Sequence, residues 1–464
     1  MRPFAILRIV ALAAPVVLGC GVRADTLPWA LVQAYQNNPV LNAQRASLRA
    51  QDEAVPQALS GYRPRVAATA TIGNQFTSTL TKTETNAGPV YTETHGDMTP
   101  HSVGITATQT LYNGHQTANR TRQAEAQVSA GRATLAVTEQ TVLLNAATAY
   151  MNLIRDAAIL ELQRRNVEVL QEQLRQTRDR FNVGEVTRTD VAQAESRLAA
   201  GRAQVLSAES NYTASKASYR QVIGVDPGKL APASPVDRYS PRTLATAIQA
   251  GRRFNPQVAA AMFGIDVALL QVKINEGGLL PTVTAQANVQ QDWEVSPTIL
   301  QQFNASILGQ VTVPIYQGGQ EYSLIRQAKE TLGQQRISLD TTRDQVQQNV
   351  TQAWGQLEAA KAQIQATTAQ VNSAEIALNG VRDEARVGQR TTLDVLNAQQ
   401  ELVNARVALV TAQHDRVVAS YSLLQAVGGL SVIGLGLKTS VYDPMAHYQQ
   451  VRDAWAGLRT TNGR

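Results

Sequence analysis

The sequence predicts an α+β membrane protein built from a duplicated helix–two strands–long helix–helix unit, with the strands of several chains pooled into one β-barrel. Three observations predict it. The second half of the 464-residue chain repeats the first at an offset of 204, in pairs such as Tyr112/Tyr316, Gly114/Gly318, Val183/Val387, Gly184/Gly388, Thr187/Thr391 and Asp190/Asp394. Each half holds a proline-free run of roughly 66 residues with heptad-spaced apolar positions. Four segments alternate apolar and polar residues with period two behind an N-terminal export signal.

The chain opens with Arg2 and Arg8, an apolar run from Ile9 to Leu18, and Val22-Arg23-Ala24 before Asp25. This reads as a secretory signal peptide, residues 1–24, too short to span a bilayer as a mature helix. Cleavage after Ala24 is one reading. The other is the loose lipobox Leu18-Gly19-Cys20, which would leave a lipidated Cys20. Removing residues 1–24 takes three arginines and no acid, so the formal charge falls from +6 to +3. No basic stripe remains, which argues against a nucleic-acid partner. Cys20 is the only cysteine, so cutting after Ala24 leaves no disulfide, thiolate metal site or cysteine nucleophile. No other stretch reads as apolar for long enough to be a transmembrane helix.

The first unit spans 25–224 and the second 243–428, joined by the Pro-rich linker 225–242. Each begins with a helix of roughly 35 residues (26–60, 243–276) that ends near a Gly and a Pro. Strand pairs follow within 64–112 and 281–316. The first half carries thirteen extra residues there, and its Thr-, Gly- and Pro-rich stretch 77–100 reads as a loop. Long helices over about 115–181 and 319–385 come next, then helices over 190–223 and 394–427. Residues 429–464 form a C-terminal segment whose Val441–Gly457 portion reads as a short helix outside the rods.

The strands place Val66, Ala68, Ala70 and Ile72 on one face, as they do Val103, Ile105, Ala107 and Leu111. Val283, Ala285, Ala287 and Val289 alternate with Thr, Gln and Asn, and Phe303 to Val313 does the same. A half-buried soluble sheet would alternate in this way too. Four such strands attached to 100 Å rods, behind an export signal, favour a membrane. Four strands cannot close a barrel, and an open sheet edge in lipid leaves backbone groups unpaired. Several chains must therefore share one barrel. Two chains would give eight strands, a barrel that fills with side chains, and three would give twelve.

Ile325, Leu332, Leu339, Val346, Ala353 and Ala360 recur every seven residues, as do Ala398, Ala405, Ala412, Ala419 and Ala426. Alanine at a coiled-coil seam lets helices approach closely. Where one rod ends and the next begins, the chain reads VGEVTRTD (tip 182–190) and VGQRTTLD (tip 386–394). Gly184 and Gly388 suit a left-handed helix stop, and Thr187-x-x-Asp190 and Thr391-x-x-Asp394 have capping-box spacing. Capping alone accounts for these residues without any function.

The order helix, two strands, long helix, VGxxTxxDV tip, helix, written twice behind a signal peptide, resembles the TolC family of outer-membrane export ducts. The resemblance covers essentially the whole chain after the signal, including its opening DTLPWALVQAYQNNPVLNAQRA. It implies a homotrimer with a 12-stranded β-barrel in outer-membrane lipid, continued into the periplasm by a long α-helical coiled-coil tunnel. It also implies docking to a periplasmic adaptor of an inner-membrane pump or ABC exporter. Val183, Gly184, Val387 and Gly388 match the family's adaptor-contacting tips. Arg390 matches an arginine that closes the entrance, held by Thr189 and Asp190. Asp394 matches the first of two acidic rings, and Asn397 stands where the second would be. A latch tyrosine of some members aligns with Ala385, so that bond would be missing. On this reading Asp190 and Asp394 are caps and gate residues together; on the structural reading they are caps only.

Tyr112, Tyr316 and Trp293 lie near strand ends, as interfacial aromatics or ordinary packing. The histidines are scattered without metal-ligand spacing, and GxSxG, HExxH and P-loop motifs are missing. The expectation is a passive exporter of small molecules or proteins, neither an enzyme nor a cofactor protein. The competing expectation is a non-conducting trimeric surface stalk or adhesin.

Overall fold

The computed structural model describes residues 25–460. The signal peptide and Cys20 lie outside the described residues. The two long rods are α4 (Gln116–Asn182) and α8 (Gln320–Arg386), each an unbroken 67 residues and so about 100 Å long. Each folds back into a 36-residue helix, α5 (Arg188–Ile223) and α9 (Thr392–Val427). Ile325, Leu332, Leu339, Val346, Ala353 and Ala360 are buried along α8, and Ala405, Ala412 and Ala419 along α9; Leu332 packs with Ala268 and Val272, and Leu339 to Ala360 with Ala247, Val258, Ala419 and Leu423. The heptad stripe is the packing seam.

The opening helix of each unit is broken where a single helix was expected. The first unit has α1 (Leu27–Asn37), α2 (Pro39–Asp52) and α3 (Ala54–Leu59); the second has α6 (Leu244–Phe254) and α7 (Pro256–Gly277). The cause is the repeated Asn-Pro. Proline pushes the preceding residue out of the helical region, and its missing N–H is tolerated at the first helical position. Asn38 and Asn255 accordingly sit extended (ψ 123° and 126°). Each caps the next helix, accepting from Val40 N–H and from Gln257 N–H at 2.9 Å. Each also donates to the far end of its own hairpin, Asn38 to the Val222 carbonyl and Asn255 to the Ala426 carbonyl, both at 2.9 Å.

The same break bears on the search for membrane helices. Contrary to the reading of the sequence, Leu244–Gly277 does reach the length and apolarity of a span, with mean hydropathy 1.5. It is two helices divided at Asn255, and α7 lies along α4 and α8 as part of the helical wall.

Four strands form one antiparallel sheet in the order β1 (Arg65–Ile72), β4 (His101–Asn113), β5 (Thr282–Ser296), β6 (Ile299–Thr312). Both strand pairs therefore join across the duplication. The stretch expected to be a loop is instead a hairpin, β2 (Gln75–Thr85) and β3 (Gly88–Met98). Threonine explains it: β-branched residues favour strands whatever their polarity. Thr77, Thr79, Thr81 and Thr83 occupy one face of β2, with Thr94 and Thr92 opposite Thr79 and Thr81.

The register sorts the main sheet into two faces. Ala68 pairs with Ile105, Ile105 with Val289, and Val289 with Ala305; Val66, Ala107, Ala287 and Ile307 form the next row. On the other face Thr69, Gly104, Gln290 and Asn304 align, then Ala67, Thr106, Asn288 and Ser306. Thr106 donates to Asn288 at 2.9 Å there. The apolar face is not covered by a helix: Ile105, Phe303 and Ile307 are exposed, the last at 88%. The two outer strands, β1 and β6, each have one unpaired edge within the chain.

A short helix, α10 (Pro444–Val451), packs on α2, with His447 Nδ1 2.9 Å from the carboxylate of buried Asp52. The linker 225–242 is irregular apart from one 3₁₀ turn at Asp237–Tyr239 and a bridge from Leu230 to Asp25.

Candidate functional site: the paired hairpin tips

Both rods stop in the same way. Val183 is the last half-helical residue of α4, and Gly184 turns left-handed at φ 78°; Val387 and Gly388 (φ 79°) repeat this at the end of α8. Glycine adopts that region without the Cβ penalty. Gly184 N–H donates to the Phe181 carbonyl at 3.0 Å and Glu185 N–H to that of Arg180 at 2.9 Å. Gly388 and Gln389 reproduce the two bonds to Ala385 and Glu384 at 3.2 and 3.0 Å. This is the paired closure that satisfies carbonyls at a helix end.

The following helices start with full capping boxes. Asp190 accepts from Thr187 N–H at 2.9 Å and from Thr187 Oγ1 at 2.7 Å, while Asp190 N–H donates to Thr187 Oγ1 at 3.3 Å. Asp394 does the same with Thr391 at 3.0, 2.9 and 3.2 Å. The Thr391 backbone and hydroxyl, with Arg390 beside them, hold the Asp394 carboxyl below its ordinary pKa. Both valines at the tips are 72% exposed, an apolar side chain offered to solvent by each turn.

The tips differ in charge. In the first, Arg180 on the last turn of α4 pairs with Glu185 in the turn at 2.9 Å. In the second the signs are reversed: Glu384 on the last turn of α8 pairs with Arg390 in the turn at 2.9 Å. That pair raises the Arg390 pKa, first through the hydrogen bond that Arg390 donates to Glu384. Within the chain the structure therefore brings Arg390 to Glu384, not to Thr189 or Asp190. Thr189 stands exposed on the first turn of α5, and both Asp190 oxygen contacts go to Thr187.

Asn397, one turn beyond Asp394, accepts from Arg197 Nη2 at 2.7 Å, which ties α5 to α9. Deeper in, Gln399 receives Arg382 at 3.1 Å and reaches Asn166 at 3.5 Å, and Leu170, Leu174, Ala194, Leu198 and Leu396 pack together. Arg197, Glu384, Asn166 and Gln399 escaped the sequence reading. Arg197 has Glu401 at the equivalent place, so the duplication gave no signal for it. Glu384 lies six residues before Arg390, a spacing that joins side chains only when a turn intervenes.

At the strand ends the aromatics sort to opposite ends of the sheet. Trp293 stacks on His101 at 5.1 Å where β4 begins, and Tyr112 and Tyr316 lie at the end nearest the rods. Among the described residues no group of three or more His, Cys, Asp or Glu is placed to hold a metal ion.

Residues 30–225 and 247–429 match the outer membrane efflux protein family. The chain is 41% identical over 456 residues to the outer membrane efflux protein BepC of Brucella suis biovar 1, covering 98% of this chain and 96% of that one. It is 27% identical over 425 residues to the outer membrane protein TolC of Escherichia coli K12, covering 88% and 83%. Among solved structures, the CmeC outer membrane channel of Campylobacter jejuni superposes with a TM-score of 0.74 at 16% identity, covering 92% of this chain and 89% of that one.

Proposed function

The chain belongs to the outer membrane efflux protein family, and from that premise we propose that it works as a passive trimeric exit duct across the outer membrane of a Gram-negative cell. The observation that carries the reading is the four-stranded sheet with an exposed apolar face and an open edge on β1 and on β6. An unpaired edge is not tolerated in hydrocarbon, so β1 of one copy pairs with β6 of the next. Three copies make a barrel of twelve strands, wide enough to conduct. The polar face of Thr, Gln, Asn and Ser lines its lumen and the Val/Ile/Ala/Phe face meets lipid.

The rods continue the duct about 100 Å into the periplasm. At their far end Val183, Gly184, Val387 and Gly388 form the surface that docks a periplasmic adaptor of an inner-membrane pump or ABC exporter. Cargo, whether small molecules or secreted proteins, is chosen by those partners. Arg390, Thr189, Asp190, Asp394 and Asn397 form the gate at the tips. A three-fold ring of Asp394 concentrates cations at the constriction and disfavours anions, with Asn397 leaving the second ring uncharged. Planar-bilayer recording of the purified protein tests the reading. Discrete cation-preferring conductance supports a duct; a silent bilayer containing inserted protein would return the chain to a structural stalk.

A further inference from the structure

Asp25 is held through every polar group it has. Its N–H donates to the Lys229 carbonyl at 2.8 Å, its carbonyl accepts from Ala231 N–H at 3.0 Å, and its carboxylate accepts from Gly228 N–H at 2.8 Å. The Tyr150 hydroxyl lies 2.7 Å from the same Asp25 carbonyl. Directly afterwards Thr26 caps α1, which buries Leu27, Ala30, Leu31, Ala34 and Tyr35. The fold thus grips the chain at residue 25.

The place of that grip matters. Tyr150 lies 34 residues into α4 from Gln116, so Asp25 sits about 51 Å down the rod from the base of the strands. From there the chain climbs toward the membrane. Leu48 packs at Gly131, Val55 against Ala124 and Val128, and Gly61 against Thr117, just beneath the sheet. Residue 25 is the point of this climb farthest from the lipid. Four residues lie between Cys20 and Asp25, and the five Cα–Cα steps reach at most about 18 Å even when fully extended. An acyl group on Cys20 would fall roughly 30 Å short of the bilayer that holds the barrel, unless α1 were stripped from the core.

We infer that the export signal is cut between Ala24 and Asp25, and that the mature protein starts with a free amine at Asp25 and carries no acyl anchor. The step is hydrolysis of one peptide bond by a signal peptidase: one water is consumed, Ala24 leaves as a carboxylate and Asp25 as an ammonium. The Asp25 nitrogen keeps its bond to the Lys229 carbonyl. The barrel, not a lipid, holds the protein in the membrane.

Intact-mass spectrometry and N-terminal sequencing of protein extracted from outer membranes test this. The expected result is the unmodified mass of residues 25–464, with Asp as first residue, and no incorporation of radiolabelled palmitate. Cys20→Ser should leave mature mass, abundance and membrane fraction unchanged. An acylated start at residue 20, palmitate label lost in Cys20→Ser, or any other first residue would overturn it. These readouts do not depend on whether the protein conducts, so they stand or fall apart from the duct reading.

Discussion

Arg197 on α5 donates to Asn397 on α9 at 2.7 Å, joining the two hairpins one turn inside the tips. Asn397 is exposed and Arg197 half-buried, and the bond itself faces solvent, so it contributes about 1 kcal/mol or less to stability. It ties α5 to α9, and in the proposed duct that would set the width of the entrance. Arg197→Ala is expected to raise single-channel conductance while shifting the unfolding midpoint by no more than about 1 °C. An unchanged conductance would show that the two hairpins are fixed by their apolar contacts alone.

Arg390 has a partner in its own turn, Glu384, and its proposed partners, Thr189 and Asp190, lie on the other hairpin. The two roles separate by mutation. Arg390→Ala and Asp190→Ala should each raise conductance severalfold in planar bilayers if the gate bridges the tips. Glu384→Ala should not, since it frees Arg390 for the other hairpin. If Glu384→Ala copies Arg390→Ala and Asp190→Ala changes nothing, the arginine only closes its own turn.

Asp394 gives the second tip a pH response with a definite sign. Its carboxyl titrates lower in the folded protein than in the unfolded chain, because Thr391 donates two hydrogen bonds to the charged form. The cap's contribution is complete above the unfolded value, about pH 4, and is lost as pH falls through the folded value. Hydrogen exchange of the Thr391 and Asp394 amides should therefore stay slow at pH 5. Thr391→Val removes the hydroxyl donor and should move the Asp394 titration upward, read from its carboxyl carbon shift by NMR.

Asn38 and Asn255 each cap a kinked helix and satisfy a carbonyl at the end of a neighbouring helix, and both are about 95% buried, at 6% and 5% exposure. Each Asn→Ala change should cost about 2 kcal/mol, from the lost cap and the carbonyl left unpaired. Asn→Ser should recover only the cap's share. Denaturant unfolding of the detergent-solubilised protein checks both, and the two sites should agree because the duplication repeats their geometry.

Much of this architecture was readable in the residues. The rods, their ends and the capping boxes follow from local rules, and the duplication doubled every signal, as with Gly184/Gly388 and Asp190/Asp394. The breaks at Asn38 and Asn255 carried a signal, the Asn-Pro pair, but the apolar periodicity runs through them and suggests one helix. The β2–β3 hairpin was hidden because Thr-rich strands with two wet faces lack the alternation that marks a half-buried strand. The Arg197–Asn397 bond joins residues 200 apart with no repeat partner, so only the packing of α5 near α9 reveals it.

In the proposed duct, copies of this chain share one barrel through β1 and β6. Cysteine pairs placed along these two edges test it directly, against a mature chain that holds no other thiol after Asp25. At the matching register, oxidation should give a covalent trimer in the membrane, with conductance retained. A particle that stays monomeric at every register, or whose edges cross-link only within one chain, would contradict the account.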